Sequence, residues 1–224
     1  MKTFNDLQIL NSWQKNVAPW VQAIRDQEIT SRTTVTNQAI VDAVVRLPTQ
    51  TLLDVGCGEG WLMTALSEYN ITCLGIDAVA DFAEFVEQQG HRFQLLAYED
   101  FCAEAFPKAF DVIACNFSLL GKESVERVIQ HSIDCLNPGG RLLIQTLHPQ
   151  ATCDGNYQDG WRPGSWDGFN QQFSDPAPWY FRTRESWLDL LSQTGYTNIN
   201  VTEPCYPETG LPASILFEAS VEGQ

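Results

Sequence analysis

Leu52-Leu53-Asp54-Val55-Gly56-Cys57-Gly58-Glu59-Gly60-Trp61-Leu62 is the stretch on which the fold turns. An apolar run carries one acid, three glycines follow at alternate positions, and helix formers begin at Trp61. Glycine serves where a backbone bends sharply or lets a ligand approach closely. The pattern reads as a buried strand, a glycine turn and the first turn of a helix. A helix that starts at such a turn aims unpaired N–H groups at whatever occupies it. Spacing sorts the ligands. A dinucleotide fingerprint, G-x-G-x-x-G, needs a third glycine where this chain has Trp61. A phosphate loop ends in Gly-Lys-Ser/Thr, which is absent here.

Outward from that turn the chain alternates strand and helix. Strands are predicted at 51–55, 72–76, 93–97, 110–115 and 141–147, with helices at 59–68, 80–89 and 123–136. The last helix should stop at the break Asn137-Pro138-Gly139-Gly140. Near-continuous apolar strands separated by helices imply an α/β fold, doubly wound around a mostly parallel sheet buried on both faces. Upstream, residues 5–27 have one apolar face at helical spacing, with Pro19 dividing two helices. A polar loop holding Arg32 then leads to a helix at 37–45. Downstream, 148–182 has little periodicity but eight large aromatic residues, which predicts an ordered, turn-rich flap. Thr183 should cap a helix at 184–193, and strands at 198–202 and 214–219 should close the chain.

Composition narrows the partners. With 224 residues, one domain with a substantial core is expected. The formal net charge of -15 repels a phosphate backbone, which disfavours nucleic acid. Seven cysteines, odd in number and without a C-x-x-C pair, fit a reducing cytoplasm and no metal site. No signal-peptide core and no run of membrane-spanning length is apparent.

In open α/β sheets the ligand lies at the carboxyl ends of the parallel strands. Asp77 ends the second strand, seventeen positions after Gly60, where a carboxylate can accept both hydroxyls of a ribose or simply cap the next helix. Tyr98-Glu99-Asp100 follows the third strand, Asn116-Phe117 the fourth and His148-Pro149 the fifth.

Four features stand in order: the glycine turn, Asp77, Asp111 opening Asp-Val-Ile-Ala-Cys-Asn-Phe, and Leu136-Asn137-Pro138-Gly139-Gly140-Arg141-Leu142. Together they resemble the class I S-adenosylmethionine-dependent methyltransferases over about residues 32–220. The resemblance implies seven strands in the order 3-2-1-4-5-7-6 with only strand 7 antiparallel. It also implies one domain over 1–224, with an N-terminal helical cap at 1–46 and the flap at 148–182 as an insertion. S-adenosyl-L-methionine is the implied cofactor. Gly56, Gly58 and Gly60 would flank its amino-acid part and Asp77 would hold its ribose, with Asp54, Cys57, Trp61 and Ala78 also binding the cofactor. Tyr98 and Glu99 would border the adenine, with Asp100 an alternative to Glu99, and Asn116 and Phe117 would lie beside the sulfonium. Arg32 would pair with the cofactor carboxylate or remain a solvated surface residue.

The implied reaction is in-line methyl transfer to a small molecule, driven largely by alignment and water exclusion. His148 is the candidate base, or a residue that fixes the turn into Pro149. Trp13 and Trp20 read as a lid or as core. In the flap, Trp161, Trp166, Trp179 and Tyr180 read as walls for a planar, apolar or cationic acceptor and Arg182 or Arg184 as a partner for an acceptor carboxylate, or else the flap packs only on itself and on Trp13 and Trp20. An NAD(P)-dependent oxidoreductase and a silent binding module are the rival readings. The accepting atom (oxygen, nitrogen or carbon) and the oligomeric state stay open.

Overall fold

Apolar strands with no polar face must be covered on both sides, and helices do this here. The computed structural model describes residues 4–106, 109–169 and 172–221. Helix α1 (Asp6–Arg25) opens with a capping box between Asn5 and Gln8. Pro19 does not divide it, contrary to expectation. A proline costs one helical hydrogen bond, but Val17 and Val21 on either side are buried with Val79 and Phe82, and this packing carries the helix through. The stretch before α2 (Asn37–Val45) is also not a loop. Arg32–Thr36 forms a π-helical turn that runs straight into α2.

The sheet strands follow as β1 (Thr51–Val55), β2 (Thr72–Asp77), β3 (Arg92–Leu95), β4 (Phe110–Asn116) and β5 (Leu136–Thr146). Between them lie α3 (Trp61–Leu66), α4 (Phe82–Gln88) and α5 (Glu123–Ser132). Strand β5 starts earlier than the proline–glycine break suggested. Leu136 pairs with Phe110 and Arg141 with Val112, so Asn137-Pro138-Gly139-Gly140 is a bulge inside the strand. Asp111 explains the bulge. Its carboxylate accepts from Thr51 N and from Asn137 Nδ2, tying the starts of β1, β4 and β5 together.

After β5 come a short α6 (Pro149–Thr152) and a two-stranded hairpin of β6 (Gly160–Arg162) and β7 (Trp179–Phe181). Thr183 caps α7 (Arg184–Gln193) by accepting from Ser186 N. Strands β8 (Asn198–Thr202) and β9 (Ile215–Ser220) end the described chain. The sheet order is β3-β2-β1-β4-β5-β9-β8, with β1 to β5 parallel and β9 antiparallel to both neighbours. This is the expected 3-2-1-4-5-7-6 order, renumbered because the flap contributes two strands of its own. Leu53, Ile113 and Ile144 pack on one face of the sheet with Val125 and Leu191, and Leu52, Ala114 and Leu143 on the other with Ile40 and Val44. Among the described residues no helix is long and apolar enough to cross a membrane.

Candidate active site

The carboxyl ends of β1, β2 and β4 enclose a cavity of about 220 Å³ roofed by α1. The glycine turn forms its floor. Gly56, Gly58 and Gly60 have φ of 70°, 54° and 86°. At Gly56 the demand is steric as well, because a Cβ there would sit 2.3 Å from Tyr98 Oη and 2.5 Å from Ser118 Cβ. The turn is stitched to β2: Gly56 N and Cys57 N donate to the Ile76 carbonyl at 2.8 and 3.0 Å. Asp77 completes the link. Its Oδ2 accepts from Gly58 N at 3.0 Å and its Oδ1 from Val79 N at 2.9 Å. Burial pushes the Asp77 carboxyl up to about 6, against the pull of these backbone donors.

Beside the turn lies a cluster of buried ionisable groups. Asp54 accepts no hydrogen bond from the described residues, and burial, Glu59 and Asp77 push its carboxyl up to about 8. Burial also raises Glu59, whose Oε2 accepts from Trp20 Nε1 at 2.7 Å. Arg32 faces these acids. Its guanidinium lies over the Trp20 and Trp61 rings at 5.6 and 5.0 Å, with Nε donating to Asn37 Oδ1 at 3.2 Å. Burial lowers its pKa, and the two acids partly restore it. Arg32 is therefore no solvated surface arginine. Two acids and one guanidinium converging on a helix-opening turn can hold a zwitterion, its ammonium on the carboxylates and its carboxylate on Arg32.

Ala78, Val79, Phe82, Tyr98 and Glu99 line the cavity beyond Asp77. Asp100 does not line it. Asn116 and Phe117 line it at the end of β4, and Phe117 has φ +55°. The remaining wall comes from Asp6, Leu7, Leu10 and Trp13 of α1 and from Leu120 and Ser124. The Asp6 carboxylate accepts from Lys122 N at 2.9 Å and Ser124 N at 2.7 Å, so α1 caps the N-terminus of α5. Sequence reasoning missed Asp6 and gave Leu7 and Leu10 no role at the cavity. The sequence carried one signal, Leu7 and Leu10 continuing the apolar helical face of Trp13, Val17 and Val21 up to the start of the helix.

Two groups of expected residues lie elsewhere. The flap residues Trp161, Trp166, Trp179, Tyr180 and Arg182 do not line the cavity, because they satisfy one another. Trp161 meets Tyr180 edge-on at 5.6 Å, Trp179 meets Phe181 at 5.8 Å, and Trp166 packs on Phe169, Phe173 and Trp13. Arg182 is spent on carbonyls: Nη1 donates to Gly121 O at 2.8 Å and Nη2 to Lys122 O at 3.0 Å. The flap braces α1 from outside. Ser174 N donates to Asn16 Oδ1 at 2.9 Å, and Asn16 Nδ2 returns a bond to Ser174 O at 2.8 Å. Trp13 and Trp20 do line the cavity.

His148, the candidate base, also lies outside. It is buried, with Nε2 3.6 Å from Glu203 Oε1 and neither ring nitrogen hydrogen-bonded among the described residues. Its carbonyl accepts from Ala151 and Thr152 N, so the chain turns into α6 here and carries the ring toward the β8–β9 loop.

The family described as "Methyltransferase domain" matches residues 29–201 of this chain. The ubiquinone biosynthesis O-methyltransferase of Pseudomonas fluorescens (strain SBW25) is 30% identical over 114 residues, 48% of this chain and 49% of that protein. Its counterpart in Xylella fastidiosa (strain M23) is 32% identical over 103 residues, 43% of this chain and 42% of that protein. The match thus spans about half the length of these curated relatives. Solved structures share the fold. An S-adenosylmethionine-dependent methyltransferase from Mesorhizobium loti aligns with a TM-score of 0.62 at 19% identity, covering 81% of this chain and 95% of that one. The 1,6-didemethyltoxoflavin-N1-methyltransferase of Burkholderia thailandensis, with bound 1,6-didemethyltoxoflavin and S-adenosylhomocysteine, aligns with a TM-score of 0.60 at 19% identity, covering 91% and 85%.

Proposed function

The chain belongs to the methyltransferase-domain family, and on that premise we propose that it transfers a methyl group from S-adenosyl-L-methionine to a small-molecule acceptor. One observation carries the reading: Arg32, Asp54 and Glu59 converge on the same glycine turn that Asp77 closes. This donor set suits a cofactor with an amino acid at one end and a ribose at the other. Arg32, braced by Trp61, would hold the carboxylate and Asp54 the ammonium, over the Gly56, Cys57, Gly58 and Gly60 backbone. Asp77 beside Ala78 would take the ribose hydroxyls through lone pairs that its two backbone donors leave free. Tyr98 and Glu99 would border the adenine, with Asn116 and Phe117 at the reacting end.

Bound S-adenosylmethionine supplies a methyl group already activated by a positively charged sulfur. The chain's own task is then to align the acceptor and exclude water. None of its three histidines (91, 131 and 148) lines the cavity, and this reading assigns no histidine base there. The acceptor would lie against Leu7, Leu10, Trp13, Phe117 and Leu120, an apolar wall for a small organic ring or chain. The charge of -15 argues against a nucleic-acid acceptor, and seven free cysteines suit a reducing cytoplasm. Calorimetry with S-adenosylhomocysteine tests the cofactor directly, and no binding by the wild-type protein sinks the proposal.

A further inference from the structure

Asn116 ends β4 at the cavity, and its orientation is set from behind. A backbone carbonyl only accepts hydrogen bonds. The Thr36 carbonyl takes one from Gln145 Nε2 at 2.9 Å, which decides how the Gln145 amide faces. The same Nε2 donates to Asn116 Oδ1 at 2.9 Å, so the Asn116 oxygen is engaged on the Gln145 side. The group Asn116 has left for the cavity is its NH2, which has no acceptor among the described residues. Gln145 grips the next residue as well. Its carbonyl accepts from Phe117 N at 2.7 Å, where Phe117 is held at a φ of +55° that side chains rarely adopt. Gln145 itself is 1% exposed and reaches no ligand space.

We propose that Gln145 is a positioning residue that makes Asn116 a hydrogen-bond donor to the acceptor, so that the site selects a hydroxyl oxygen over an amine nitrogen. The proposal rests on the cofactor reading above. A hydroxyl oxygen has two lone pairs. One forms the new O–CH3 bond, displacing the sulfur with the electron pair of the broken S–CH3 bond, and the other accepts from Asn116 Nδ2. The hydroxyl proton passes to water. An amine has a single lone pair, which must point along the line of displacement toward the cofactor sulfur, so in that pose it turns N–H against N–H at Asn116 whether or not the methyl group is present.

The test uses 4-nitrophenol and 4-nitroaniline at about pH 5.5, where both are uncharged, so that they share a ring and differ only in the accepting group. Each is titrated into wild-type protein saturated with S-adenosylhomocysteine, with the Asn116 side-chain NH2 followed by nitrogen-15 NMR. The phenol should bind at least about tenfold more tightly and shift the Asn116 NH2 signals, and the aniline should not. Gln145→Leu should bring the ratio to about one while S-adenosylhomocysteine affinity stays within about twofold, which also reports that the variant folds. Equal binding, a preference for the aniline, or binding of neither overturns the inference. Failure of the wild type to bind S-adenosylhomocysteine would instead remove the cofactor reading on which it stands.

Discussion

Cofactor binding should expel a proton from Asp54. In the free protein burial, Glu59 and Asp77 hold that carboxyl up to about 8. At pH 7 such a group is about nine-tenths protonated. An ammonium at hydrogen-bond distance favours the carboxylate, and a fall below about 6 would leave it roughly one-tenth protonated. Binding S-adenosylhomocysteine at pH 7 should therefore release roughly 0.8 proton, and affinity should climb by up to about tenfold per unit between pH 6 and 8. Calorimetry in two buffers of different ionisation enthalpy counts the protons. Asp54→Asn should remove most of the release and flatten the pH slope. Wild-type binding with no proton release, or the same release from Asp54→Asn, would refute the reasoning. Stability gives an independent check. The folded-state pKa lies above the unfolded value near 3.8, so the folded protein binds more protons and loses stability as pH rises from about 4 to about 8. At about 1.4 kcal/mol per unit the loss has an upper bound of roughly 6 kcal/mol. Asp54→Asn should accordingly raise the Tm of the ligand-free protein more at pH 8 than at pH 5.

Gly56→Ala should abolish S-adenosylhomocysteine binding in calorimetry, because its Cβ would collide with Tyr98 and Ser118 at a φ of +70°. Wild-type affinity in that variant would show that the turn does not contact the cofactor. His148→Ala should leave S-adenosylhomocysteine affinity and turnover within about twofold, since the ring lies away from the cavity. A tenfold fall in turnover alone would return His148 to the chemistry. Arg182→Gln should cost about 1–3 kcal/mol in a denaturant titration by stranding the Gly121 and Lys122 carbonyls. It should also speed hydrogen exchange in the β6–β7 hairpin, and unchanged exchange would mean that Arg182 does not latch the flap.

The sheet was legible because burial on both faces leaves a local mark. Runs such as Leu52-Leu53 and Val112-Ile113-Ala114-Cys115 have nowhere else to go. Asp77 was legible for the same reason, as an acid ending an apolar run. What failed depended on distant partners. Pro19 reads as a helix break until Val17 and Val21 are seen packed with Val79 and Phe82. The Asp6 carboxylate caps a helix 116 residues away, which no local pattern encodes. The aromatic count at 148–182 said correctly that the flap must pack, but not on what. His148 lies away from the cavity because the strand-end rule, which holds at β1, β2 and β4, breaks at β5, where the chain turns at once into α6.

These errors share a direction, and it bears on specificity. The residues proposed to hold the cofactor sit on strand ends and on the turn between β1 and α3, with Arg32 reaching them from beside α2. Sheet pairing fixes those strand ends from both sides. The outer wall is built differently. Leu7, Leu10 and Trp13 come from one helix that lies outside the sheet and is fastened by a few polar contacts, with apolar packing between them. Asp6 grips the start of α5, Asn16 grips Ser174, and Trp20 grips Glu59. The flap adds rigidity to that helix without touching the cavity. A change at Leu7, Leu10 or Trp13 would reshape the acceptor space while leaving Gly56, Asp77 and Arg32 where the fold holds them. A change in the flap would act on specificity only by tilting α1. The separation has one seam. Trp20 belongs to the roof and Glu59 to the glycine turn, and their hydrogen bond strengthens when Glu59 is ionised. An ammonium seated beside Glu59 would favour its carboxylate form and so strengthen the hydrogen bond that ties the roof to the turn.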